Sequence, residues 1–432
     1  MNKSLWSDIT DLPKFEELKE DIKTDVLIIG GGLCGILCAH LLSEAGVDCV
    51  LTEANRIASG TTKNTTAKIT FGHGLIYSKL IKNFGKEKAL MYLNANKDAL
   101  LQYEKLCADI NSGFETKSSY TYSTLNRWKI EDEIRAVQSL GFPAEFSDCS
   151  ELPFKTVGGI CYKNQAQFNP LELIKKLAKN LKIYENTFIR EIKSHCAISD
   201  KAKITAKKII VATHFPFINK HGSYFLKLYQ HRSYVSAFEN SPNLKGMYVD
   251  EDLKGLSLSF HNNLLILGGG SHRTGKYGEN WQAITRLTEK HYPTAQLKYT
   301  WSTQDCMSLD NVPYIGNYSK NTPDLYVATG FNKWGMTSSM VAAKILCDMI
   351  TEKKSKYHEI FAPDRNILKP QLFVNGLESA KNLLTPTAPR GPHLGCALKW
   401  NHTEHSWDCP CHGSRFEKNG TLINGPSIKN LR

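Results

Sequence analysis

The sequence TDVLIIGGGLCGILCAHLLSEAGVDCVLTEA, residues 24–54, determines the first part of the fold. It opens with an apolar run at 26–29, which predicts a buried parallel strand. A glycine-rich turn follows, then an apolar pattern of helical period that ends near Gly46, and a second strand at 48–52. This order of strand, glycine turn, helix and strand predicts a dinucleotide-binding unit.

The three glycines of the turn have separate roles in such a unit. Gly30 makes the tight turn, Gly32 lets the backbone approach a pyrophosphate, and Gly35 lets the helix pack closely on the strand. The pyrophosphate is expected at the helix N-terminus, where free N–H groups and the positive end of the dipole favour an anion. Glu53 follows Gly35 by 18 residues, close to the spacing of an acid that accepts hydrogen bonds from a ribose.

Length and charge limit the remaining possibilities. A chain of 432 residues predicts two or three domains. The net charge of +12 is scattered rather than gathered in one block, so we expect no nucleic-acid partner. There is no unbroken apolar run of 18 residues, so no membrane span is expected. The charged N-terminal stretch is unlike a secretory signal, which predicts a cytoplasmic protein.

Other patterns extend the α/β reading along the chain. A long amphipathic helix is predicted at Tyr77–Cys107 and a buried strand at 208–213. A last unit consists of a strand at Leu325–Thr329 and a helix at 337–350. Residues 351–390 are polar, with scattered prolines, and predict a linker.

Four stretches resemble the FAD-dependent amino acid and amine oxidoreductases of the D-amino acid oxidase type. The GGGLCG turn with Glu53 matches their ADP-binding part, and ASGTTKNTTAKIT at 58–70 matches the loop that lies along the flavin. SLDNVPYIG at 308–316 is similar to their late T-P-D-G-x-P-x-I-G segment, and LYVATGFNKWGMT at 325–337 to the motif that wraps the isoalloxazine ring. The resemblance implies FAD as cofactor, bound by Gly30, Gly32, Gly35, Glu53, Ser59, Thr61, Thr62, Thr65, Thr66, Gly330, Gly335, Met336 and Thr337.

The same resemblance implies how the first 350 residues are organised. An α/β, Rossmann-type FAD-binding domain is interleaved with a mixed-sheet substrate domain. The dinucleotide-binding segments are expected at about 24–75, 155–215 and 300–350, and the substrate segments at about 76–154 and 216–299.

Two residues are candidates for the substrate side. Relatives that oxidise simple amino acids commonly carry Gly-Leu-Arg-Pro before the Asp-Gly-x-Pro segment, whereas this sequence has Gln304 and Asp305 where the arginine is expected. An amino-acid substrate therefore stays open. Arg273 follows a predicted strand, and a guanidinium can bind a carboxylate through two hydrogen bonds. Arg273 and Gln304 are the candidate catalytic residues.

The stretch GPHLGCALKWNHTEHSWDCPCHGSRF at 391–416 resembles the ligand segments of Rieske [2Fe–2S] domains. Their familiar form is C-x-H-L-G-C, a spacer, and C-P-C-H-G-S, with two cysteines on one iron and two histidines on the other. The resemblance implies a small C-terminal β module with metal ligands His393, Cys409 and His412, and with Cys396 and Cys411 as the pair that is disulfide-linked in many Rieske proteins.

Gly391 stands where the motif has its first cysteine, and glycine has no ligand atom. The stretch upstream is also short, so residues 391–432 predict a truncated Rieske-like module, and the missing thiolate argues against a complete [2Fe–2S] cluster. Three outcomes stay open: no cluster, a cluster with Cys396 as substitute ligand, or zinc bound by the cysteines and histidines.

These features together predict an oxidoreductase that removes a hydride from a carbon next to nitrogen or oxygen in a small amine, amino acid or related molecule, with FAD as acceptor. Electrons are then expected to reach the Rieske-type centre or an electron acceptor that the sequence does not identify. The alternative is an electron-transfer flavoprotein or redox sensor with a degenerate or zinc-binding C-terminal module.

Overall fold

The computed structural model describes residues 3–252, 255–386 and 389–431. Its helices are α1 (Leu5–Ile9), α2 (Leu33–Glu44), α3 (Tyr77–Cys107), α4 (Arg127–Ser139), α5 (Pro170–Ala178), α6 (Tyr224–Lys227), α7 (Gln282–His291), α8 (Gly335–Ile350), α9 (His358–Phe361) and α10 (Pro370–Leu384), with a 3₁₀ turn at Thr61–Asn64.

Its strands are β1 (Ile22–Ile29), β2 (Cys49–Thr52), β3 (Lys68–Ile69), β4 (Glu115–Ser123), β5 (Glu145–Ser147), β6 (Gly158–Gln167), β7 (Ile183–Tyr184), β8 (Glu191–Lys193), β9 (Cys196–Ile198), β10 (Lys203–Val211), β11 (Leu228–Glu239), β12 (Met247–Asp250), β13 (Ser257–His261), β14 (Leu264–Arg273), β15 (Gln296–Ser308), β16 (Tyr314–Asn317), β17 (Leu325–Thr329), β18 (Lys399–Asn401), β19 (Ser406–Asp408), β20 (Arg415–Glu417) and β21 (Leu422–Asn424).

The first sheet contains the dinucleotide-binding unit. Its main path runs β16-β17-β10-β1-β2-β7. β1 pairs in parallel with β10 on one side and with β2 on the other, as its apolar run predicts. β16 is antiparallel to β17, and β8 and β9 form a hairpin beside β10. Helices α2 and α8 pack against each other and against this sheet.

The second sheet is mixed and larger. Its path runs β15-β11-β14-β13-β12-β4-β6-β3, with β5 paired to β6. Among the described pairs of this sheet, β12 and β4 are parallel and the others are antiparallel. The predicted fold class, an α/β Rossmann-type part combined with a mixed sheet, is therefore confirmed.

Some strands of the second sheet come from residue ranges that were predicted for the dinucleotide-binding part. β6 and β15 belong to the second sheet, although β6 and residues 300–308 of β15 lie in ranges predicted for the dinucleotide-binding part. Alternating burial identifies a strand but not its partner, which is chosen by contacts distant in sequence. The predicted linker at 351–390 contains α9 and α10, and α10 starts with Pro370 at its first turn, where proline is tolerated.

The C-terminal module is a small antiparallel sheet. Strands β18 to β21 follow one another in chain order, each three residues long. Their core contains Leu398 and Phe416 together with the thiols of Cys396, Cys409 and Cys411. The predicted β module is thus present, with its cysteines inside.

Within the described parts of the chain, none of the helices combines the length and the apolar character that a membrane crossing would need.

The contact between α2 and β1 generates a stability prediction. A Cβ atom at Gly35 would lie 1.9 Å from the carbonyl oxygen of Gly30. We expect Gly35→Ala to force the helix away from the strand, to cost about 1–3 kcal/mol as other overpacked sites do, and to lower the midpoint of thermal unfolding by several degrees.

The matched control is Gly376→Ala in α10, where a Cβ atom would meet no described atom within 4 Å. Removing a glycine from a helix interior is expected to leave the unfolding midpoint unchanged or to raise it. Equal midpoints for the Gly35 variant and the unmodified protein would contradict the packing argument.

Candidate functional site

A cavity of about 760 Å³ lies where the first sheet, the second sheet and the C-terminal module meet. Its walls include the glycine turn, the loop before β3, strands β11 and β15, and the turn between β17 and α8. Most predicted cofactor residues line it: Gly30, Gly32, Glu53, Ser59, Thr61, Thr62, Thr65, Thr66, Gly330, Gly335 and Met336.

The glycine turn leaves the start of α2 open to this cavity. Gly30 has a φ of 115°, and a Cβ atom there would lie 2.5 Å from the carbonyl oxygen of Ala212. Gly32 caps α2 without a side chain; the Leu33 N–H donates to Thr62 Oγ1 at 3.1 Å, and the next N–H groups of the first turn have no side-chain cap from Gly32. This arrangement suits a pyrophosphate.

One more lining group fits a polar ligand. Nε2 of His214 is buried and has no hydrogen-bond partner among the described residues. Burial lowers the pKa of His214 to about 4, so the ring is neutral at pH 7. With the open helix start, this unpartnered nitrogen makes the cavity suitable for a molecule with FAD's polar groups.

Glu53 lines the cavity and also fixes the turn. Its Oε2 accepts a hydrogen bond from the Gly31 N–H at 2.7 Å, and its Oε1 accepts one from the Asn55 N–H at 2.9 Å. Burial raises the pKa of Glu53, against the effect of these bonds. Each carboxylate oxygen can accept a second bond, so ribose binding by Glu53 is still compatible and stays a prediction.

Two predicted cofactor residues lie behind the cavity instead of lining it. Gly35 packs against Gly30, as described above. Thr337 is buried, donates a hydrogen bond to the Thr70 carbonyl at 3.3 Å and has its Oγ1 3.0 Å from Nε2 of His73. Burial lowers the pKa of His73 to about 3, so this buried network is neutral.

The two candidate catalytic residues have different positions. Gln304 lines the cavity, and the Thr61 hydroxyl donates to its backbone carbonyl at 3.3 Å. Arg273 is not among the lining residues; its guanidinium donates to the Pro410 carbonyl at 3.0 Å and to the Cys411 carbonyl at 3.2 Å. Their catalytic roles stay predictions, and their side chains both reach the C-terminal module.

A chain of polar groups in the cavity was missed by the sequence reasoning. The Lys333 ammonium donates to Ser271 Oγ at 3.0 Å, Ser271 Oγ lies 3.1 Å from Ser233 Oγ, and Ser233 Oγ donates to Asp305 Oδ2 at 3.4 Å. All four residues line the cavity. Lys333 was visible inside the flavin motif, but only the pairing of β11 with β14 and β15 brings the serines and Asp305 to it.

Buried charges attach the C-terminal module to the second sheet. The Glu404 carboxylate accepts hydrogen bonds from Arg232 Nε at 3.0 Å, from Ser302 Oγ at 2.6 Å and from Tyr234 Oη at 3.2 Å, and lies 3.4 Å from Arg415. Burial alone would raise the pKa of Glu404, but Arg232 and Arg415 lower it to about 2. The carboxylate is therefore fully charged at pH 7.

The backbone of the second ligand loop is held by side chains of the second sheet. Four successive carbonyls accept hydrogen bonds there: those of Pro410 and Cys411 from Arg273, that of His412 from Gln230 at 2.7 Å, and that of Gly413 from Gln304 at 2.8 Å. The loop's conformation therefore depends on the oxidoreductase part of the chain.

The predicted metal ligands come together in the module. The sulfur atoms of Cys396, Cys409 and Cys411 all lie within 4.8 Å of one another, and the rings of His393 and His412 have centroids 5.1 Å apart. Hydrogen bonds from Cys396 and Cys411 hold the pKa of Cys409 well below its ordinary value. Gly391 provides no ligand atom, so the ordinary Rieske ligand set is incomplete.

Comparison with known families agrees with this geometry. The family described as FAD dependent oxidoreductase matches residues 25–349. The chain belongs to this family. FAD is accordingly its cofactor, and the protein is an FAD-dependent oxidoreductase. The family described as Rieske [2Fe-2S] domain matches residues 377–432, which adds a C-terminal Rieske domain.

Three individual proteins illustrate the similarity. The chain is 34% identical to "Putative Rieske 2Fe-2S iron-sulfur protein YhfW" of Bacillus subtilis over an alignment 493 positions long including gaps, which covers 99% of this chain and 96% of that protein. L-proline dehydrogenase from P. horikoshii has a TM-score of 0.68 at 17% identity, covering 80% of this chain and 98% of its own. Glycine oxidase from Geobacillus kaustophilus also has a TM-score of 0.68 at 17% identity, covering 80% and 99%.

Glu53 supports a prediction about FAD affinity. Glu53→Ala removes a charged acceptor from the cavity and from the glycine turn. We expect FAD binding to weaken by about 1–3 kcal/mol, which is about 5- to 150-fold in Kd. Fluorescence titration of the apoprotein with FAD measures this, with Glu44→Ala at the exposed end of α2 as control. An unchanged Kd for the Glu53 variant would show that the acid is not needed.

The buried ion pairs support a prediction about docking of the module. Arg232→Met leaves Glu404 buried with one partner fewer, which costs about 3 kcal/mol. We expect faster trypsin cleavage at exposed Arg390, whereas Arg286→Met, which removes a surface pair with Glu279, leaves cleavage unchanged.

The same pair has a defined pH dependence. The folded-state pKa of Glu404 lies below the ordinary 4.5. The contribution of Glu404 to the stability of the docked module is therefore complete above about pH 4.5 and is lost as the pH falls towards 2. Pepsin cleavage of the module should rise within that window. A constant cleavage rate across it would contradict the role of Glu404.

Proposed function

We propose that this enzyme oxidises a small amino acid or a closely related compound with an amino and a carboxyl group. The Lys333–Ser271–Ser233–Asp305 chain recognises this substrate. One observation carries the proposal: a cation and a carboxylate stand at opposite ends of a line of hydroxyl groups on the cavity wall. A zwitterionic amino acid has the complementary pair of charges, a carboxylate for Lys333 and an amino group for Asp305.

The position of these groups within the cavity supports the proposal. Lys333 belongs to the turn between β17 and α8, which the flavin-wrapping motif occupies, and Asp305 is next to Gln304 on β15. Both residues line the cavity; Asp305 is half-buried, whereas Lys333 keeps an exposed surface. Once a bound molecule fills the cavity and displaces water, a charge-assisted hydrogen bond there is stronger than at the outer surface.

Asp305 also has the properties of a proton acceptor. Burial raises its pKa to about 6, while Lys333 acts in the opposite direction. Asp305 is therefore mostly ionised at pH 7 and can take a proton from a substrate ammonium group. FAD, when bound, supplies hydride acceptance, and the substrate's nitrogen lone pair must be free for its carbon to give up a hydride.

Two further findings agree with this substrate class. Two of the solved structures that share the fold are named for L-proline and for glycine, although another is named for L-alpha-glycerophosphate. Gln304 and Asp305 occupy the place of the arginine of simple amino acid oxidases, so Lys333 is our candidate for the cationic group that binds the substrate carboxylate.

We also propose that electrons leave the cavity on the side of the C-terminal module. Phe215 lines the cavity, and its ring centroid lies 6.2 Å from that of His412. Gln304 and Gln230 line the same wall and hold the backbone of the ligand loop. Residues 422–428 of the module line the cavity directly, and the ligand loop contacts the cavity wall through Phe215, Gln230 and Gln304.

The test is anaerobic reduction of the bound flavin, followed by its absorbance, with a panel of amino acids, amines and hydroxy acids. We expect amino acids to reduce it. Lys333→Met should raise the substrate concentration for half-maximal rate about 10- to 100-fold, since a charged partner of the carboxylate is lost. Lys320→Met, at an exposed position, is the matched control.

The pH dependence tests Asp305 separately. In the unmodified protein, the reduction rate should fall as the pH drops below about 6, because protonated Asp305 cannot accept a proton. The Asp305→Asn variant should reduce its flavin slowly at every pH, and its rate should no longer fall below about pH 6. Reduction only by a protein or nicotinamide donor would reject the proposal and support an electron-transfer flavoprotein.

A further inference from the structure

The first ligand loop of the C-terminal module folds so that Cys396 lies beside Gly391. The Gly391 N–H donates to the Cys396 carbonyl at 2.9 Å, and the Gly395 N–H donates to the Gly391 carbonyl at 3.0 Å. A Cβ atom at Gly391 would lie 3.7 Å from the Cys396 carbonyl oxygen. The first loop thus has a cysteine directly next to the position where the motif lacks one.

The thiols are placed as ligands of a shared metal require. Cys396, Cys409 and Cys411 are buried, unpaired cysteines, with all three sulfur atoms within 4.8 Å of one another. Two thiolates on one tetrahedral metal at about 2.3 Å are about 3.8 Å apart. Cys396 can therefore share an iron with Cys409 after a small side-chain movement.

The imidazoles form a second pair. The ring centroids of His393 and His412 are 5.1 Å apart, and both ring nitrogens of His412 are buried without a hydrogen-bond partner. Nε2 of His393 lies 3.1 Å from Asn219 Oδ1, which leaves Nδ1 for a metal. Unpartnered buried nitrogens in a native fold require an explanation, and a metal ion provides it.

The two pairs occupy separate positions. Among the described residues, one group has three or more candidate ligand atoms within 4.8 Å of one another. It consists of the three thiols and contains no histidine. A single metal bound by sulfur and nitrogen would need both kinds of atom around one point. Sulfur on one side and nitrogen on the other is the distribution that a two-iron centre uses.

We propose that Cys396 replaces the missing residue at 391 as a ligand of a [2Fe–2S] cluster. Cys396 and Cys409 would bind one iron, and His393 and His412 the other. Each loop then contributes one sulfur and one nitrogen, and Cys411 is left as a free thiol without its usual disulfide. The inference rests on the Rieske domain and not on the substrate proposed above.

The experiment compares Cys396→Ser with Cys411→Ser in the full-length, FAD-loaded protein. Both variants and the unmodified protein are purified without oxygen and reconstituted with iron and sulfide. We expect about two irons and two sulfides per chain, with an electron paramagnetic resonance signal after reduction, for the unmodified protein and for Cys411→Ser. Cys396→Ser should contain at most about a tenth of the iron of the unmodified protein and show at most about a tenth of its signal. Its FAD content should be unchanged.

A rescue variant separates a lost ligand from a damaged fold. Gly391→Cys in the Cys396→Ser background returns a thiol to the ordinary position, where its Cβ atom would lie 3.2 Å from Cδ2 of Leu398. We expect it to restore iron, sulfide and the signal together. Unchanged FAD content and circular dichroism confirm that each variant is folded.

Several results would overturn the proposal. These are an unmodified protein that binds no iron after reconstitution, one that binds zinc but no cluster, and a Cys396→Ser variant that keeps its full cluster. Loss of the cluster in Cys411→Ser alone would assign the ligand to Cys411. A Cys396–Cys411 disulfide found by alkylation and mass spectrometry in the cluster-loaded protein would also reject it.

Discussion

The contact of α2 with β1 through Gly35 is the constraint around which the oxidoreductase part is arranged. With 1.9 Å between a Cβ at Gly35 and the Gly30 carbonyl oxygen, any side chain would push the helix off the strand. The helix start would then no longer face the carboxyl end of β1. Because β10 lies in register beside β1, with Ala212 following it against Gly30, the same contact also fixes the neighbouring edge of the cavity.

Docking of the C-terminal module rests on a different kind of interaction. Glu404 is buried between Arg232 and Arg415, and removing charges from water is costly. Such pairs contribute little net stability compared with apolar packing, but they penalise every arrangement in which one member lacks a partner. Their effect is therefore to select one orientation of the module. In that orientation residues 422–428 complete the cavity wall and His412 faces Phe215.

The sequence predicted what is local and missed what depends on pairing. The unit from β1 to β2, the helix at Tyr77–Cys107 and the strand at Leu325–Thr329 carry their own periodicity and turn residues, so their positions could be derived. The Lys333–Asp305 chain could not, because it joins residues from β11, β14, β15 and the last turn. Arg273 was predicted as a group that follows a strand, and Gln304 as the residue in the place of an arginine of related enzymes, but no sequence pattern showed that their side chains contact the module.

The loop contacts explain how a Rieske domain with a missing ligand can keep its ligand geometry. In a domain that stands alone, the metal and the disulfide hold the two ligand loops together. Here the second loop is fixed from outside, since Arg273, Gln230 and Gln304 bind four consecutive carbonyls. The first loop is closed by its own backbone bonds around Gly391 and Gly395. Neither loop needs a thiolate at 391 to keep its shape, so a cysteine at that position could be lost while the remaining thiols and imidazoles stayed in place.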